Sequence, residues 1–230
     1  AALSVKAITG KPIKFAGIGE KLESCFRGLP FWCSDPQQTI NYVSCHDNHT
    51  LFDRIALTAP KASTADRIRM NRLGAAFSIL SQGVPFFHAG EEMLRTKPDG
   101  KGGFDENSFR APDEVNAIRW DTLSQPDYKK TIEYYRGLIA FRKMYDVLRL
   151  QLRKDVLTTV EPIPFRDSQV VVFRVHGIAQ DIYLAFNAGS EVAKVTLPDG
   201  TWNVMIHDDV AGTEALSQKE GVVEVAPISA

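Results

Sequence analysis

The pattern of apolar and polar positions changes character near residue 150. Before it, apolar residues recur at helical spacing in two segments. Ile68, Leu73, Ala76, Phe77 and Leu80 form one face, and Ile132, Tyr135, Leu138 and Ile139, with Arg142 continuing the spacing, form another. The first predicts a helix that begins at Ser63 or Thr64, a capping residue with Asp66 in the first turn where its charge suits the helix dipole, and that Gly83 stops. The second predicts a helix from about Pro126, well placed in a first turn, to about Tyr145. Each follows a short apolar run. TINYVS predicts a buried strand ending near Ser44, and VPFFHAG predicts another. Strand, helix, strand, helix in that order predicts parallel strands with crossover helices. Residues 1–38, rich in glycine and proline, read as loop with at most short helical pieces. The segment EEMLRTKPDGKGGFDENSFRAPDE reads as a long loop, and loops of that length in compact domains usually serve binding or catalysis.

After about Leu150 the period shortens. VLTTVEPI, QVVVFRVHG, DIYLAFN, VAKVTL, WNVMIH and VVEVA are short β-rich runs separated by turn signals such as PDG and NAGSE. They predict an antiparallel β-sandwich, with a boundary between residues 146 and 152. The expected organisation is an α/β portion over residues 1–149 and an all-β domain over residues 150–230.

Composition narrows the functional classes. The 27 Lys and Arg residues balance 28 Asp and Glu residues, which leaves no electrostatic footprint for nucleic acid or an anionic membrane. The longest apolar runs fall far short of the ~20 residues a membrane span needs. The chain begins Ala-Ala-Leu, with neither Met nor a signal-peptide pattern, and reads as a cut edge; its compartment is not fixed by the sequence. Cys25, Cys33 and Cys45 lack metal-type spacing and read as three reduced thiols, although Cys25 and Cys33 are candidates for pairing. No cofactor is called for, and calcium binding is not derivable.

The chemistry concentrates at two strand exits. SCHDNHT follows the first strand and HAGEE the second, and in parallel α/β folds ligands bind where such exits converge. His46, Asp47, Asn48, His88, Glu91 and Glu92 are candidates for one pocket. A carboxylate that accepts and an imidazole that donates suit sugar hydroxyls. Asp47 and Asn48 fit an Asx-type turn equally well, and His46 and His49 fit one exposed and one buried imidazole. HxxH at a strand exit is a weak metal signal, because it lacks the helical HExxH geometry. Of Glu91 and Glu92, adjacent residues that point apart, one is expected at the site and the other in a cap or pair.

Three segments carry a resemblance, and a helix fits it as well. INYVSCHDNHTLFD is similar to the seventh-strand motif of the type I pullulanases, the α-1,6-glucan debranching branch of the α-amylase superfamily. LSQGVPFFHAGEEMLRTK resembles their eighth strand and loop, NSFRAPDEVNAIRW the segment after it, and YYRGLIAFRKMY their last barrel helix. The resemblance covers most of residues 15–187. It implies the C-terminal part of a (β/α)8 barrel followed by a β-sandwich, because about 150 residues are too few for a complete barrel of ~250. It also implies that Asp47 stabilises an oxocarbenium-like transition state, that His46 holds sugar hydroxyls, and that Asn48, Asn107 and Arg110 contact an α-glucan substrate. The two other carboxyl groups such chemistry needs belong to fourth- and fifth-strand motifs that this sequence lacks, so activity is expected to need the N-terminal barrel portion. The alternative expectation is a non-catalytic glucan-binding module, with Tyr183, Phe173, Phe186 and Trp202 as its candidate aromatics.

Overall fold

The computed structural model describes residues 18–230 except 31 and 168, with side chains described from residue 22. The expectations for residues 1–17 lie outside the described residues. Within the rest of the supposed loop the chain forms helix α1 (Ile18–Arg27), which delivers Phe26 to the core at 0% exposure. Phe26 stacks on Phe173 at 3.9 Å between ring centroids and meets Phe77 and Phe186 edge-on, so tertiary burial decides the conformation despite the surrounding glycines.

Strands β1 (Ile40–Asn41) and β2 (Val84–Pro85) pair in parallel, Ile40 opposite Val84. Between them run α2 (Leu51–Thr58) and α3 (Thr64–Leu80), which supply the crossover expected from the sequence. Both strands are shorter than expected, and the first is not buried. Ile40, Tyr42, Val84 and Phe86 are exposed and share one face by the two-residue alternation of a strand, while Val43 points the other way into the core.

Helix α3 starts as its sequence dictates: the Ser63 hydroxyl accepts from the Asp66 amide at 3.1 Å. Its far end is closed from outside. Arg142, on the long helix Pro126–Met144, donates to the carbonyls of Ile79 (2.9 Å), Ser81 (2.5 Å) and Gly83 (2.8 Å). That long helix follows α4 (Asp113–Asn116) and is α5 (Pro126–Met144), with proline at its start as expected. A guanidinium suits this place, because the last carbonyls of a helix lack partners and carry partial negative charge. Gly83 has φ +89°, and a Cβ there would stand 2.3 Å from the Thr39 hydroxyl, so the turn into β2 requires glycine.

Beyond Leu150, helix α6 (Arg153–Thr159) occupies the first half of the expected strand VLTTVEPI; only β3 (Val160–Ile163) is extended. The β-branched run favours a strand, but the helix buries Val156 at 0% exposure and back-bonds the Thr158 hydroxyl to Lys154 and Asp155 carbonyls. β3, β4 (Val170–Val175) and β5 (Ile182–Asn187) form an antiparallel sheet in that order. β6 (Ala193–Thr196) pairs with β11 (Val222–Val225), β7 (Trp202–Val204) with β10 (Ser217–Lys219), and β8 (Ile206–His207) with β9 (Val210–Ala211), all antiparallel.

Alternation along β4 and β5 explains how the parts join. Phe173, Val175, Ile182, Leu184 and Phe186 face the helices and complete the main core with Phe26, Phe77, Leu80, Leu138 and Phe141. Val170 and Val172 face the opposite way and form a smaller core with Ala193, Val195 and Val225. The main core therefore runs continuously across residue 150.

Candidate active site

β1 ends by residue 42, and the polar cluster follows in a turn made by Asn48, whose φ of 63° lies in the left-handed region that asparagine tolerates. The reversal brings Thr50 to cap α2: its hydroxyl accepts from the Asp53 amide at 3.1 Å. This Thr50 to Asp53 spacing is a helix-start signal that the period of apolar residues alone did not reveal. Asp53 is itself fully buried, accepting from the Lys97 amide at 2.8 Å and from the Thr96 hydroxyl, so α2 is tied to the loop after β2.

The turn presents His46 and Asp47 together. Their side chains are 80% and 68% exposed, with His46 Nε2 3.4 Å from Asp47 Oδ1. His49 points inward instead, 10% exposed, with Nδ1 3.9 Å from Glu106 Oε1 on the long loop. One imidazole is thus presented and one withdrawn. Glu106 also lies 3.6 Å from Arg54. Asn107 and Arg110 stand exposed just beyond it; the Asn107 amide donates to Asp105 Oδ1 at 2.8 Å, and the Arg110 guanidinium lies over the Phe109 ring at 5.1 Å. The long loop therefore does approach the turn, through Glu106.

At the exit of β2 the three candidates separate. His88 is half-buried, with Arg95 Nη1 3.4 Å from its Nε2. A guanidinium only donates, so Nε2 is the acceptor and the ring proton sits on Nδ1. Burial first, then the charges of Arg95 and Lys97, pushes its pKa down to about 4, so His88 is neutral at neutral pH. Glu92 caps locally, accepting from the Gly90 amide at 3.0 Å. Glu91 does not face the opening. It is 5% exposed and accepts hydrogen bonds from Ser44 Oγ at 2.6 Å and the Tyr135 hydroxyl at 3.0 Å. Burial raises its carboxyl to about 7, against the lowering effect of those two donors.

Among the described residues, no group of three or more His, Cys, Asp or Glu is arranged to hold a metal ion, and no helix is long and apolar enough to cross a membrane. Cys25, Cys33 and Cys45 are free thiols. Of the candidate aromatics, Phe173 and Phe186 are core residues. Tyr183 and Trp202 meet edge-on at 5.7 Å and line a groove of about 680 Å³ between the β-rich part and the end of α5, where Phe141 and Met144 also line it.

A parallel strand pair with polar exits, followed by antiparallel sheets, has counterparts among known proteins. No family model matches the chain. The pullulanase of Bacillus subtilis (strain 168) is 31% identical over 170 residues, covering 72% of this chain and 23% of that protein. The solved pullulanase from Bacillus acidopullulyticus superposes with a TM-score of 0.88 at 28% identity, over 100% of this chain and 29% of its own. The type I pullulanase from Bacillus subtilis str. 168, solved complexed with maltose, gives a TM-score of 0.85 at 25% identity, over 100% of this chain and 34% of its own. These relatives define the class as debranching glycoside hydrolases. The chain spans about a quarter to a third of the length of these three proteins. It belongs to the pullulanases, as a C-terminal portion of that family's sequence.

Proposed function

We propose that the chain supplies the last strand-and-helix units of the (β/α)8 catalytic barrel of a pullulanase-type glycoside hydrolase, residues 1–149, together with a C-terminal β-sandwich domain, residues 150–230. The substrates in this reading are α-1,6 branch linkages in pullulan, starch or glycogen-derived dextrins. β1 and β2 are then the seventh and eighth strands. Asp47 faces the positive charge that develops on the sugar as the glycosidic bond stretches, and His46 holds sugar hydroxyls. Asn48, Asn107 and Arg110 contact neighbouring parts of the glucan.

The observation that carries this reading is the placement of His46 and Asp47, exposed side by side, where the chain leaves the carboxyl end of a parallel strand. The face formed by Ile40, Tyr42, Val84 and Phe86 supports it, because an apolar strand face of this kind fits the interior of a barrel whose other strands cover it. The maltose complex of the Bacillus subtilis relative supports an α-glucan ligand. Retaining hydrolysis needs a nucleophile and an acid/base about 5–5.5 Å apart. The sequence lacks the motifs that carry them, so the isolated chain is inactive and needs the N-terminal barrel portion.

The test is pullulan hydrolysis by the chain alone and after mixing with the N-terminal portion of a relative's enzyme. Release of reducing ends only in the mixture supports the reading; hydrolysis by the chain alone overturns it.

A second reading, a glucan-binding module, draws on the groove lined by Tyr183 and Trp202. Glucan affinity lost on Trp202→Ala and kept on Asp47→Ala would favour it over the first.

A further inference from the structure

Four elements meet at one buried carboxylate. Glu91, on the turn after β2, accepts from Ser44 at the exit of β1 and from Tyr135 on α5, while Asn71 on α3 donates its amide to the Glu91 backbone carbonyl at 3.3 Å and to the Tyr135 hydroxyl at 3.2 Å. Ser44 is buried and stands three residues before Asp47, so whatever holds Ser44 sets where the exposed turn begins. We propose that Glu91 is a positioning residue for the His46–Asp47 turn, acting through its hydrogen bond to Ser44, and that the turn adopts a different position when the carboxylate is neutralised. This rests on the role proposed above for Asp47.

The network has the parts for two arrangements. With Glu91 ionised, the short Ser44 bond and the Tyr135 bond are both charge-assisted, the stronger kind. With Glu91 protonated on the oxygen that faces Ser44, the new O–H donates to Ser44 Oγ, while the Tyr135 hydroxyl still donates to the other carboxyl oxygen and the Asn71 amide keeps both of its bonds. The Ser44 bond persists but loses its charge assistance, so the tether on the turn slackens.

The groups facing Glu91 are few. Ser44 comes from the β1 exit, Tyr135 from α5 and Asn71 from α3, while on its own segment are Glu92, whose charge raises the carboxyl's pKa, and the His88 backbone, whose hydrogen bond lowers it. Tyr135 is fully buried and its hydroxyl is pushed well above the usual phenol range, by burial and then by the Glu91 charge, so it stays protonated. Burial, with a smaller contribution from Glu92, sets the switch of Glu91 near pH 7.

The test is a pH series of amide NMR spectra on this chain, which needs no catalytic activity. The amides of residues 44–48 should shift with a midpoint near 7 in the wild type, and that component should vanish in Glu91→Gln, which keeps every other group of the turn in place as common background. Ser44→Ala should uncouple the turn while the Glu91 carboxyl, followed by its carbon shift, still titrates; this arm keeps the proposal falsifiable if the glutamine variant does not fold. In the reconstituted enzyme, Glu91→Gln should lower kcat several-fold with KM little changed and flatten the pH profile near 7. Turn amides that do not titrate, or that titrate equally in wild type and Glu91→Gln, would overturn the proposal. If the amides behave as described but the reconstituted wild type is inactive, the role of Asp47 fails and the coupling stands.

Discussion

Replacing Glu91 by glutamine removes a buried charge and little else, which makes its effect calculable. The carboxyl, 5% exposed, titrates near 7 in the folded chain against 4.5 when unperturbed. Between these values the folded protein holds a proton that the unfolded chain has released, so stability falls as pH rises. The contribution is fully present below 4.5 and is lost as pH rises through about 7. The span from 4.5 to about 7, at about 1.4 kcal/mol per pH unit, gives about 3 kcal/mol. Glutamine is neutral throughout and still accepts from Ser44, so this component should disappear. His88, held near 4 against 6.5, contributes in the opposite sense: its stabilisation is present above 6.5 and lost as pH falls through about 4. It is common to both proteins and cancels in their difference. The assay is urea denaturation of both proteins at pH 5 and pH 8. Glu91→Gln should lie within about 1 kcal/mol of wild type at pH 5 and gain about 2–3 kcal/mol on it at pH 8. A difference that is the same at both pH values would refute the reasoning.

Other consequences are open to measurement. Arg142→Met strips three carbonyls at the end of α3 and at Gly83 of their buried donor, and should cost about 3 kcal/mol or more by denaturant titration. Ser63→Ala removes the α3 cap and should cost about 1 kcal/mol in the same assay. The exposed apolar face of Ile40, Tyr42, Val84 and Phe86 should make the isolated chain self-associate in sedimentation, and paired Tyr42→Lys and Phe86→Lys substitutions should weaken that association while leaving the circular dichroism spectrum intact.

What the sequence made legible follows the physics of each signal. The α3 cap and the proline start of α5 lie within a few residues, so Ser63 and Pro126 could be read directly. The β-branched and aromatic runs of β4 and β5 are equally plain, although their burial on both faces appears only once α1 and β6 are in place. Helices α1 and α2 were missed because Phe26 is held by distant rings and because Thr50 caps a helix of only eight residues. α6 was mistaken for a strand because Val156 to Val160 has strand composition, which packing overrides. At the site, the His46–Asp47 pair is adjacent in sequence and was visible as such. The inward turn of Glu91 was not, since its partners come from three other elements, 20 to 47 positions away.

The central claim is that Asp47 is a transition-state stabiliser in a debranching enzyme. The most direct test is the rate of pullulan hydrolysis by reconstituted enzyme carrying Asp47→Asn, compared with wild type at equal assembly. The Asp47 side chain is 68% exposed and pairs with His46 at 3.4 Å, so the substitution should leave folding and assembly unchanged while lowering kcat by about 10²–10³-fold or more. A variant that assembles and keeps kcat within a few-fold of wild type would contradict the account.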